Sequence, residues 1–169
     1  MIGFPFFKAQ IDGWFEGKKH DLIMAIEEEF LEYKNQNKFQ SDRHLKRNYH
    51  KVFDSVVSDQ FAQFSKKSEI SFELKDLWTV RYNTNDFHVP HNHGSTGLSG
   101  ILYLVKESEH PSTQFLLPWN NIEHGATQIY TPDTLEGDII IFPSFLTHWT
   151  EPNVSEISRV AVSFDLRII

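Results

Sequence analysis

The chain of 169 residues contains no cysteine. This excludes a disulfide framework, a thiolate-held zinc and a cysteine nucleophile, so any metal must be bound through nitrogen and oxygen, and the cytoplasm is the natural compartment. No apolar run reaches membrane length, and "MIGFPFFKAQ" lacks the basic segment, apolar stretch and cleavage site of a secretory leader. An unprocessed, soluble protein is expected. Basic residues are also scarce. Sixteen Lys and Arg against 23 Asp and Glu leave a net charge of −7, which opposes attraction to nucleic acid or anionic lipid. The only basic cluster, "RHLKRNYHK" (Arg43 to Lys51), reads as a solvated face. Internal repeats, low-complexity tracts and recognisable linkers are missing too, so residues 1–169 are expected to form a single domain. Nothing in the sequence speaks to oligomeric state.

What is present divides into two textures. "KKHDLIMAIEEEFLEYKNQN" spaces Leu22, Ile23, Ile26, Phe30 and Tyr33 as one stripe of an amphipathic helix, and "YHKVFDSVVSDQFAQFSKK" does the same with Val52, Phe53, Val56, Val57, Phe61 and Phe64. From Ile70 onward the pattern becomes short β-rich runs, "ISFEL", "LWTVRY", "GILYLV", "TQFLLP", "TQIYTP", "GDIIIFP" and "SRVAVSFDLRI", punctuated by Gly, Pro, Asn and Asp. Strands without intervening helices imply an antiparallel sandwich or barrel. The expected architecture is mainly β, a jelly roll, with residues 1–69 supplying two helices packed across one sheet and residues 70–169 forming the core.

Three of the nine histidines, His88, His91 and His93, crowd into "FHVPHNH". Residues two apart on a strand share a face, so His91 and His93 can converge on one ion, whereas His88 should point away from His91. A third ligand must come from elsewhere, and His148 follows a short apolar strand and a Pro-Ser turn. Periodicity does not name the metal. Arg159 opens the closing strand "SRVAVSFDL", an odd place for a guanidinium; it reads either as a surface salt bridge or as a fork awaiting a carboxylate, which it binds bidentately. Trp119 and Trp149 are candidates for a substrate mouth; His20, His44, His50, His110 and His124 have no assigned role.

Taken in order, "RYNTNDFHVPHNH", "LSGILYLV" and "GDIIIFPSFLTHWTEPNVSEISRVAVSF" resemble the catalytic core of iron(II)/2-oxoglutarate dioxygenases, in particular the prolyl 4-hydroxylase-like branch and its small phage-type members that carry HxH. Tyr82, Phe87, Pro90 and His91 occupy matching places, and the resemblance covers residues 78–166. It implies a double-stranded β-helix (a cupin-like jelly roll), Fe(II), 2-oxoglutarate as co-substrate and O2. On the matching positions, His91 and His148 become iron ligands, Arg159 the partner of the distal carboxylate of 2-oxoglutarate, and Tyr103 and Tyr82 walls of that pocket. The implied activity is hydroxylation of a small molecule or peptide with release of succinate and CO2, and peptidyl or free proline is the leading substrate.

Two positions depart from the pattern. His93 stands where a carboxylate is usual, giving a three-histidine face and a more positive metal unless water, halide or an acid such as Asp86 fills that position. Ala161 stands where many relatives place a serine that helps hold the co-substrate. The alternatives are a three-histidine cupin-type enzyme that does not use 2-oxoglutarate, and a non-catalytic jelly-roll binding domain.

Overall fold

In the computed structural model, which describes residues 6–30 and 49–169, the chain is mainly β, with two antiparallel sheets and two principal helices. Helix α1 (Lys19–Phe30) follows a π-helical turn at Trp14–Lys18, and α2 spans Tyr49–Ser68. Both helices form where the three-and-four spacing predicts. Leu22 and Ile26 of α1, with Phe53, Val56, Val57 and Phe64 of α2, are buried. Lys66 and Lys67 close the last turn of α2, where positive charge suits the helix dipole. Tyr33 and most of the basic cluster from Arg43 lie outside the described residues.

The strands are β1 (Phe7–Gln10), β2 (Phe72–Tyr82), β3 (His88–His91), β4 (Leu98–Val105), β5 (Gln114–Asn120), β6 (Thr127–Tyr130), β7 (Asp138–Pro143), β8 (His148–Thr150) and β9 (Arg159–Ile168). One sheet runs β1-β7-β4-β9-β2 and the other β3-β8-β5-β6. The helices lie on the first sheet against Leu98, Leu102 and Leu104 of β4, Ile139 and Ile141 of β7, and Val162, Phe164 and Leu166 of β9. Fully burying one such side chain contributes about 1.5–3 kcal/mol, so this layer is the main apolar core. The opposite face of the same strands presents Ile101, Tyr103, Ile140, Phe142 and Ala161, which pack with Phe115 of the second sheet.

Three sequence expectations are corrected. The segment before α1 was expected to be helical support, yet β1 pairs antiparallel with β7, Phe7 opposite Ile141. Four residues show too little alternation to read, and the edge of β7 recruits them as a strand. "ISFEL" and "LWTVRY" are not separate strands. They merge into β2, whose register against β9 shifts between Leu74 and Asp76. The strand expected through "HNH" stops at His91, so His93 lies in the following loop. Among the described residues no helix is long and apolar enough to cross a membrane.

Candidate metal centre

His91 closes β3 and His148 opens β8, and the two are direct antiparallel partners. His93 is held in the loop beyond, its backbone N–H donating to the carbonyl of Ser144 at 2.9 Å. A long-range antiparallel pairing of two short strands and one loop bond thus bring three imidazoles together. One nitrogen from each lies within 4.8 Å of the others.

Tautomers make the cluster directional. His91 Nδ1 lies 2.9 Å from the Val89 carbonyl, and His148 Nδ1 lies 2.9 Å from the Leu146 carbonyl. A carbonyl only accepts, so both Nδ1 atoms carry the proton and both Nε2 lone pairs remain for a ligand. His93 Nδ1 lies 2.7 Å from the Asp165 carboxylate, with the same consequence. His93 Nε2 and His91 Nε2 are 3.3 Å apart. Two imidazoles bound to one ion at about 2.1 Å would hold their nitrogens roughly 3.0–3.4 Å apart for bond angles near 90–110°. Burial drives the His148 pKa down to about 3, with the neighbouring histidines adding to the depression, so its imidazole is neutral at physiological pH.

His88 does not point away from this group, contrary to the alternation rule. The register between β3 and β8 shifts between His88 and His91, and the two rings stack with centroids 4.2 Å apart at 20°. His88 Nδ1 sits 3.2 Å from the Tyr82 hydroxyl, and burial and the adjacent histidines lower its pKa to about 4. Asp86 is engaged elsewhere, accepting the Asn83 N–H at 2.8 Å in the preceding turn.

Arg159 lies in the same cavity as the imidazoles, with 1% of its surface exposed. Among the described residues its Nε and Nη1 have no hydrogen-bond partner, and its Nη2 reaches the Thr113 hydroxyl at 3.4 Å. Its guanidinium stacks over Tyr82 at 4.7 Å and Tyr103 at 5.3 Å. Tyr82 is the direct cross-strand partner of Arg159, which explains that contact. Burial pushes the Tyr82 phenol up, so it stays protonated and can donate. Ala161 and Ser163 border the same cavity, two and four residues along β9 from Arg159.

A family model described as "Putative 2OG-Fe(II) oxygenase" matches residues 76–165, just over half of the chain. The chain belongs to this family. It is therefore a 2-oxoglutarate-dependent oxygenase, an oxidoreductase that uses iron(II) and O2. The residues present fit both groups: convergent imidazole nitrogens suit iron, and a buried guanidinium with unpaired N–H groups suits an anionic co-substrate. Solved structures share the fold of the oxygenase. HygX from Streptomyces hygroscopicus with nickel and 2-oxoglutarate bound is 12% identical, with 97% of this chain and 82% of that one covered at a TM-score of 0.70. The viral collagen prolyl hydroxylase of Paramecium Bursaria Chlorella virus-1, in complex with 2-oxoglutarate, is 17% identical, covering 97% and 96% at 0.62. A prolyl 4-hydroxylase of Pseudomonas putida is 13% identical, covering 97% and 88% at 0.57. No curated protein matches the chain in sequence.

Sequence reasoning missed Asp165 of the oxygenase. It is 5% exposed, and its Oδ1 accepts from both His93 Nδ1 and the Ser99 hydroxyl, each at 2.7 Å. The available signal was the only acid of the closing strand, on the same alternating face as Arg159 and Ala161. Of the two tryptophans, Trp149 borders the cavity, whereas Trp119 donates its indole N–H to Gln128 in the β5-β6 hairpin. His110 is buried and structural, bonded to the Ile157 carbonyl at 2.9 Å and accepting the Glu107 N–H at 3.0 Å.

Proposed function

We propose that His91, His93 and His148 hold the iron, that Arg159 holds the distal carboxylate of 2-oxoglutarate, and that the oxygenase hydroxylates a peptidyl or free proline. One observation carries this assignment: a buried guanidinium with two nitrogens unpartnered among the described residues shares a cavity with three imidazoles whose ligand nitrogens lie within 4.8 Å of one another. A buried N–H left unsatisfied costs about 1–3 kcal/mol, and more for a charged group, so a bidentate carboxylate is the natural occupant. Tyr82 and Tyr103 flank that carboxylate position, the Tyr103 hydroxyl donating to Thr113 at 3.0 Å. Tyr82 and Trp149 also line the cavity that holds the imidazoles.

When bound, iron and 2-oxoglutarate supply the oxygen activation, yielding succinate, CO2 and an oxidised substrate. The protein keeps a proton on each Nδ1, donated to a backbone carbonyl or carboxylate, so the ligand nitrogens stay available, and it orients the co-substrate through Arg159. Proline as substrate rests on the spacing from Tyr82 to His93 and on the shared fold with two prolyl hydroxylases. The two sheets are further assigned to a double-stranded β-helix in a single domain, in which residues 1–69 buttress the 70–169 core. The absence of cysteine favours a cytoplasmic setting, and the acidic balance disfavours nucleic acid as a partner.

The test is anaerobic titration of the ferrous protein with 2-oxoglutarate, following the visible metal-to-ligand charge-transfer band, with Arg159→Ala alongside. The expected result is a band in the wild type that needs far more 2-oxoglutarate in the variant, and succinate formed together with hydroxyproline. Stoichiometric iron without a band would move the chemistry to a three-histidine enzyme that does not use 2-oxoglutarate. A band with succinate formation that proline substrates never stimulate would remove proline.

A further inference from the structure

We infer that Asp165 is a positioning residue of the metal centre: it locks His93 in its ligating tautomer and lends it the negative charge that a carboxylate at position 93 would have carried. This rests on the assignment of His93 as an iron ligand.

The side chains of His93 and Asp165 are each 7% exposed, and they meet at 2.7 Å. They are 72 residues apart in sequence, so the contact is made by sheet register and not by local turn chemistry. Ser99 of β4 stands directly opposite Asp165 of β9, and its hydroxyl donates to the carboxylate oxygen that also accepts from His93. The Ser144 hydroxyl lies 2.9 Å from that of Ser99, and the Ser144 carbonyl accepts the His93 backbone N–H. His93 is therefore held at its backbone and at its ring by one connected network. The Nδ1 atoms of the other two imidazoles rest on backbone carbonyls, whereas that of His93 rests on a carboxylate. An imidazole donating to a carboxylate is a stronger electron donor, and outer partners of this kind change metal affinity by about 10- to 100-fold. A metal held by these residues would meet three neutral ligands with a carboxylate one ring removed, in place of two histidines and a bound acid.

The pair should behave as a unit. Asp165→Asn keeps an acceptor for Nδ1 but removes the charge. It should weaken Fe(II) and Co(II) binding about 10- to 100-fold in anaerobic titrations and raise the Fe(III)/Fe(II) potential. His93→Asp places two carboxylates in one buried pocket, where like charges disfavour joint ionisation. That variant should bind Co(II) more weakly than the double variant His93→Asp/Asp165→Asn. Ser99→Ala, which removes the second donor to the carboxylate, should shift the Co(II) ligand-field spectrum without unfolding the protein, and it decides the matter should Asp165→Asn not fold. His93→Ala separates the two layers. Wild-type affinity in His93→Ala would overturn the three-histidine assignment itself. A large loss in His93→Ala with wild-type affinity, potential and spectrum in Asp165→Asn and Ser99→Ala would overturn only the role of Asp165.

Discussion

The two faces of strand β9 are built on opposite principles. Val162, Phe164 and Leu166 point to the helices and are buried among aromatic and aliphatic side chains, Phe164 lying 5.4 Å from Phe53 and 5.5 Å from Phe61. Arg159, Ala161 and Ser163 alternate with them and line the cavity that holds the histidines, and Asp165 continues that face to His93. The helix face requires apolar volume and tolerates many ways of supplying it. The cavity face buries charge and hydroxyl groups at a cost in stability, which is justified only by what they bind. A single strand thus carries stability on one side and chemistry on the other, and substitutions should separate the two.

The sharpest separation is expected from His148→Ala. It should abolish stoichiometric iron binding and turnover while leaving the far-ultraviolet circular dichroism spectrum native, because only the cavity face changes. Wild-type iron content in that variant would break the distinction. Phe164→Ala should do the reverse. Removing a fully buried ring typically costs about 3–5 kcal/mol, visible in urea unfolding, while the protein that remains folded should bind iron with unchanged stoichiometry.

A smaller effect is expected from pH on the metal-free protein. His148 and His88 are held neutral in the fold, with pKa values pushed down to about 3 and about 4, but in the unfolded chain they take up protons near pH 6.5. Below that value the unfolded state binds more protons, so stability falls as pH drops from about 6.5 toward 4. The urea midpoint at pH 5 should lie below that at pH 7.5, and saturating metal should deepen the pH dependence, since protons compete for the same nitrogens. The least effect belongs to Ala161→Ser. A hydroxyl two residues from Arg159 adds one donor toward the co-substrate carboxylate, worth about 0.5–1.5 kcal/mol, so half-saturation by 2-oxoglutarate should fall a few-fold with stability unchanged. No change would place the carboxylate beyond reach of position 161.

Much of this comparison was legible in the residues. The alternation of β9 and the stripe of α2 are local patterns with periods of two and about 3.6, so the apolar side of each element could be read directly. Glycines just before and within β4 leave no room for a side chain. At Gly97, with φ +87°, an added Cβ would lie 2.8 Å from the Leu166 carbonyl, and at Gly100 it would meet the Phe164 ring at 2.1 Å. What failed was local extrapolation across irregular backbone. A register shift turned His88 onto His91, and the end of β3 freed His93 to be aimed by its partners instead of by strand geometry.

The sequence alone determined the supply of chemistry: with no thiol available any metal had to be held by nitrogen and oxygen, and a cationic side chain opened a closing core strand. Spacing and the ordered motifs then pointed to the oxygenase family. Only the tertiary structure decided that β1 is a strand, that two nitrogens of Arg159 have no hydrogen-bond partner among the described residues, and that Asp165 reaches His93. Those facts depend on which residues face each other across paired strands far apart in the chain. Hydrophobic periodicity specifies a face but not its partner; cross-strand register assigns the partner, and the hydrogen bonds of the site follow from it.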